Sequence, residues 1–147
     1  MAPNGSSVSG LQILRTGLAF GESPRWHENR LWFSNWGTQE VIAVDMDGKC
    51  ELIVHVPTTL PYCIDAESAV WYADVPNKRC VRVREGGEVL QSVEVDRGCF
   101  ACMLGGRDRK TLFILGAEWH GVDKMIDAPR TGQILTIDAP APGAGWP

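Results

Sequence analysis

A chain of 147 residues has room for one hydrophobic core and not for two. Its 14 basic and 18 acidic residues are interleaved along the chain, so the net charge of −4 comes without the basic stripe that follows a phosphate backbone, and nucleic acid is excluded as a partner. No apolar run nears the roughly 20 residues that cross a bilayer, and an odd count of five cysteines does not make a secreted disulfide framework, so a cytoplasmic chain with free thiols and no membrane partner is expected.

Residues 1–10, MAPNGSSVSG, lack the charged and apolar regions of a signal peptide and read as a flexible N-terminal tail. Residues 11–17, LQILRTG, read as a strand that the residues after it leave unpaired. Beyond them the chain repeats. RLWFSNWGTQEVIAVDMDGKCELIV (Arg30 to Val54) has the layout of AVWYADVPNKRCVRVREGGEVLQSV (Ala69 to Val93): an aromatic strand, a polar loop, a β-branched strand, a tight turn and another strand. Leu31-Trp32-Phe33 precedes Val70-Trp71-Tyr72 by 39 residues, and a third copy opens at Leu112-Phe113-Ile114 and resumes at Gln133 to Asp138 after a longer insertion. Helical periodicity is absent.

A period of about 40 with four short strands per unit is the signature of β-propeller blades. The expected fold is all-β, with blades over about 24–56, 62–95 and 100–138. The last has three strands before the proline-spaced tail APAPGAGWP, which proline keeps out of a sheet. Three blades cannot close a ring. The economical closure is a two-fold homodimer of six four-stranded blades, half from each chain, in which residues 11–17 complete the third blade of the other copy. Trp26, Trp32, Trp71 and Phe113 sit at repeat positions and are expected to pack between blades. Cys99-Phe100-Ala101-Cys102 has redox-motif spacing but lies in an apolar run and not at a helix N-terminus, so ordinary strand cysteines are expected.

In an up-and-down blade the start of the first strand and the loop between the second and third lie at one end. That end collects Glu22, the loops SNWG and DVPN, and the insertion that carries Trp119 and His120. A carboxylate at the start of a first strand faces the channel mouth, where a hard divalent cation takes oxygen ligands, so Glu22 is the candidate metal ligand. His120 and Asp74 are the candidate catalytic groups, and Asn35, Trp36, Tyr62, Asn77 and Trp119 the candidate substrate-pocket residues. Ser23 has no histidine and acid at a recognisable spacing, so a serine triad is not expected.

GLAFGESPRWHENRLWFSNWGTQEVIAVDMDG resembles the first blade of the gluconolactonase, senescence-marker-protein and regucalcin family. CIDAESAVWYADVPNKRCVRVREGGEVLQSVEVDRGCFACMLGGRDRKTLFILGAEW and the ending GQILTIDAPAPGAGWP resemble its last two blades. The resemblance implies a propeller that binds one divalent metal, calcium or zinc, and hydrolyses lactones of sugar acids or related compounds. Of three family metal ligands it carries over one, Glu22. The family's central blades are missing, and Leu60 stands where the family has an aspartate ligand. The two functional expectations are therefore a metal-dependent lactone hydrolase completed by homodimerisation, and a catalytically incomplete propeller scaffold that binds a small ligand or serves in assembly.

Overall fold

A computed structural model describes residues 11–19, 21–56, 62–124 and 127–145, with only the backbone of Trp36. The expected tail, residues 1–10, and Leu60 lie outside the described residues. Eleven strands form three antiparallel sheets in chain order, and the described residues contain no α-helix. The first sheet is β1 (Gly21–His27), β2 (Arg30–Asn35), β3 (Glu40–Val44) and β4 (Cys50–His55). The second is β5 (Tyr62–Ile64), β6 (Val70–Asp74), β7 (Arg79–Val83) and β8 (Val89–Glu94); the third is β9 (Gly98–Gly105), β10 (Thr111–Ala117) and β11 (Gln133–Asp138). Each sheet is a meander of neighbouring strands, in the manner of propeller blades, with β10 and β11 joined by the long insertion, and the three sheets do not close into a ring.

Side-chain alternation in the second sheet builds the molecule, because both of its faces are covered. Tyr62, Ile64, Val70, Tyr72, Val81 and Val83 point to the first sheet and meet Trp32, Val41, Ala43 and Val54. Cys63, Trp71, Ala73 and Cys80 point the other way and meet Cys99, Cys102, Leu104, Leu112 and Ile114 of the third sheet. β6 is accordingly buried at all five positions, as a strand covered on both faces must be. Truncating a side chain such as Trp71 in such a core costs about 3–5 kcal/mol.

The outer sheets each leave a face unmatched. On the third, Ala101, Phe113, Leu115 and Ile134 lie in register on the side away from the core. β11 is exposed nearly throughout, being an edge strand with no partner beyond it. On the first, Phe33, Ile42 and Val44 form a separate outer cluster with Leu31 and Cys50. The chain ahead of β1 runs past this sheet: Ala19 N–H donates to Asn35 Oδ1 at 2.9 Å and Arg15 Nη1 to the Gly48 carbonyl at 3.4 Å. Residues 11–17 carry no strand pairing within the chain, and Leu11 and Ile13 are exposed.

Two packing expectations are corrected. Trp26 is 59% exposed, because it pairs with Leu31 on the face of the first sheet that no sheet covers within this chain, and Phe113 lies half-buried on the outer face of the third sheet. Trp32 and Trp71 are fully buried between sheets. The tail lies against the second and third sheets: Asp65 bridges Gly143, Ala66 N–H donates to the Pro142 carbonyl at 2.7 Å, Ala144 N–H donates to the Ile64 carbonyl at 3.0 Å, and Gly143 N–H donates to the Arg109 carbonyl at 3.0 Å. The prolines in it keep it from adding a full strand, since each removes a ladder donor.

Candidate functional site

Gly21 pairs with Asn35, Tyr62 with Tyr72, and Gly98 with Ala117, so each first strand starts where its second strand ends. Glu22 lies on β1 opposite Ser34 and is exposed. The ladder then slips between Glu22 and Arg25: Ser23 has a φ of 53° and Pro24 has no N–H to donate. This bulge re-aims the strand at its entrance, which is how GESP leaves the Glu22 carboxylate outside the sheet.

Asn35, beside it on β2, is 4% exposed and spends its Oδ1 on the Ala19 amide, so it anchors the chain entering the first sheet. Trp36 begins a 3-10 turn, Trp36–Thr38, and its side chain is not among the described groups. Tyr62 is buried between sheets, and its hydroxyl has no hydrogen-bond partner among the described residues. Burial raises its phenol well above the usual range, against the Arg25 guanidinium, which lies 5.9 Å from the ring centroid and lowers it.

Asp74 and Asn77 meet, but in a structural clamp. Asn77 Nδ2 donates to both Asp74 oxygens at 3.1 and 3.0 Å, and Arg79 Nε donates to Oδ2 at 3.0 Å. With its carboxylate 1% exposed and already holding three donors, Asp74 closes the β6–β7 turn and presents no free oxygen to a substrate. Trp119 leans on Phe100 with centroids 5.7 Å apart, and His120 Nε2 lies 3.6 Å from Glu118 Oε2. A cleft of ≈380 Å³ between the β6–β7 turn and the insertion is lined by Val75, Lys78, Arg97, Trp119 and His120. Arg97 shapes it: Nη1 donates to the Thr131 carbonyl at 2.7 Å, while Thr131 Oγ1 accepts from Glu118 N–H at 2.9 Å. The insertion is thus tied back onto β9, a role that nothing in the spacing of Arg97 announced.

Two clusters therefore share this end of the molecule: Glu22 with Asn35 on the first sheet, and Trp119 with His120 beside the β6–β7 turn. Among the described residues no three His, Cys, Asp or Glu side chains are placed to hold a metal ion. A hard divalent cation needs about six oxygen ligands, so the lone Glu22 carboxylate of one chain does not fit such an ion.

Residues 61–118 match the model of the SMP-30/gluconolactonase/LRE-like region. That stretch of the chain is similar to the gluconolactonase family. No curated protein matches the sequence significantly. Among solved structures, luciferin-regenerating enzyme is similar at 16% identity with a TM-score of 0.67, over 87% of this chain and 48% of its own. Regucalcin of Agrobacterium tumefaciens, described as a calcium-binding protein, is similar at 19% identity with a TM-score of 0.59, over 88% of this chain and 48% of its own. Virginiamycin B lyase of Staphylococcus aureus shares the fold at 16% identity with a TM-score of 0.51, over 84% and 43%. The chain thus spans about half the length of the structures it matches. No helix among its described residues is long and apolar enough to cross a membrane.

Proposed function

We propose that two copies of this chain close six blades and that the closed form hydrolyses a sugar-acid or related lactone with a divalent metal, calcium or zinc, on the axis. The family match and the lactonase-type scaffold support the reaction class. The observation that carries the reading to a site is the β1 bulge, which leaves the Glu22 carboxylate exposed at the end shared by the loops. The dimer is supported by two apolar outer faces, Phe113, Leu115 and Ile134 on the third sheet and Phe33, Ile42 and Val44 on the first, and by the open edge of β11. Residues 11–17 would pair with that edge of the other copy once Arg15 releases Gly48, with the Ala19 to Asn35 bond holding the chain behind them.

Lactone hydrolysis places a hydroxyl on the carbonyl carbon and a proton on the ring oxygen, so it needs one group that takes a proton and donors for the oxyanion. His120 and Glu22 are exposed at the right end, whereas Asp74, held by Asn77 and Arg79, serves as a turn clamp. The metal belongs to the assembled form alone, where each copy brings its Glu22 to the axis.

Hydrolysis of an aldonolactone, measured with and without chelator on the dimer fraction, tests this reading. Chelator is expected to abolish turnover, and Glu22→Gln to lower it about 100-fold or more. The second reading, a catalytically incomplete scaffold that binds a small ligand, is favoured by the missing ligand cluster. It predicts turnover no faster than buffer, with or without chelator.

A further inference from the structure

Cys63, Cys80, Cys99 and Cys102 come from β5, β7 and β9 and meet in the core between the second and third sheets, all of them buried free thiols. Residues three apart in a regular strand point to opposite faces, so the Cys99 to Cys102 spacing alone separates the two. β9 is not regular there. Cys102 pairs with Ile114 and Ala101 with Leu115, but Cys99 pairs with Gly116, which makes Phe100 the extra residue of a bulge. The bulge turns Cys99 onto the same face as Cys102, toward Cys80.

Cys102 Sγ lies 3.6 Å from the Trp71 carbonyl and Cys99 Sγ 4.0 Å from the Arg97 carbonyl, so each thiol donates to backbone. The neighbouring Cys102 and Cys99 thiols lower the Cys80 thiol to about 5 against the burial that raises it, and the nearness of Cys80 raises Cys99. Of the core thiols, Cys80 is the one that acts on Cys99. The ≈380 Å³ cleft is lined by Gly98, the residue before Cys99, which gives a small oxidant a short way in.

We propose that Cys80 and Cys99 are a peroxide-sensitive pair whose disulfide staples the second sheet to the third. The Cys80 thiolate attacks one oxygen of a hydroperoxide, the O–O bond breaks, and Cys80 becomes a sulfenic acid as water or an alcohol leaves. The Cys99 sulfur then attacks the sulfenic sulfur, its proton departs with the hydroxyl as water, and the S–S bond closes. The two thiols lose two electrons and two protons, and the peroxide takes them up. Cys63 and Cys102 stay reduced.

The full chain is treated with hydrogen peroxide, its remaining thiols are alkylated, and it is digested with trypsin without reductant. Peptide 80–82 is expected joined to peptide 98–107, with fragmentation placing the bond at Cys99. Thiol titration in denaturant falls from five to three. The melting midpoint rises by about 5–10 °C and returns on adding dithiothreitol. Cys102→Ala keeps the link and Cys99→Ala loses it; fragmentation of the unmutated peptide decides the point if either variant fails to fold. A bond from Cys102 to Cys80 or to Cys99, loss of Cys50 alone, or a bound zinc ion that protects all four thiols would overturn the proposal.

Discussion

Tyr62 carries its phenol into the core between the first two sheets and finds no partner for the hydroxyl among the described residues. The chain has two tyrosines, Tyr62 and Tyr72, and burial raises both above 10.0, most strongly at Tyr62. In the unfolded chain they ionise near the ordinary value of about 10. Above that pH the folded state holds more protons than the unfolded one, so stability is full below it and falls as pH rises toward the folded values. Absorbance at 295 nm is expected to show neither phenol ionising before alkaline unfolding. Tyr62→Phe, which removes an unpaired hydroxyl, should leave stability at neutral pH unchanged or raised by up to about 1 kcal/mol and make the alkaline loss shallower. Arg82 is the opposite case. Its Nε donates to Asp65 Oδ2 at 2.7 Å and its Nη2 to Glu67 Oε2 at 2.6 Å, and Asp65 is wholly buried. Arg82→Ala strands that carboxylate, so urea unfolding should report a loss of about 3–5 kcal/mol.

Strands in this chain differ more in environment than in apolar content. β6 (VWYAD) and β11 (QILTID) are both rich in apolar side chains, yet β6 is buried throughout and β11 is exposed nearly throughout. The difference lies in what stands on either side: β6 has neighbours in its own sheet and sheets on both faces, and β11 ends a sheet. Leu115 and Ile134 pair across β10 and β11 on the outer face, 48% and 70% exposed in a single chain. Changing both to lysine should therefore leave the circular dichroism and melting of the single chain within about 0.5 kcal/mol of the unmodified protein. The same pair of changes is expected to abolish self-association, because a second copy would bury them. If self-association survived, this face would not be the contact.

At the scale of the molecule, three sheets leave two apolar outer faces and one open edge, and soluble proteins cover such surfaces. Sedimentation at low micromolar concentration should find a species of twice 16.1 kDa. A stable monomer at that concentration would remove the ring-completing dimer, and with it the axial pairing of Glu22.

Much of the fold was legible from the 39-residue offset between Leu31-Trp32-Phe33 and Val70-Trp71-Tyr72, because a repeated pattern of apolar and polar residues can satisfy its hydrogen bonds only as repeated sheets. The exposed place of Glu22 at the entrance of β1 was legible as well, since Gly21 and Pro24 bracket it; its role as a ligand is a proposal. Asp74 was not: its type and loop suggested chemistry, and only the folded turn brings Asn77 and Arg79 onto its oxygens. Trp26 was misplaced for a related reason, because its burial depends on a sheet that this chain does not supply. The cysteines make the same point. Composition established thiols and not a disulfide framework, but the gathering of Cys63, Cys80, Cys99 and Cys102 needed a bulge at Phe100 and the packing of two sheets, which are non-local events. Sequence by itself determined the strands, their order and the exposed carboxylate at β1, for these follow from local pattern and turn chemistry. The partners of each buried polar group were decided by tertiary structure, because a side chain's partner is set by which sheet lies across from it.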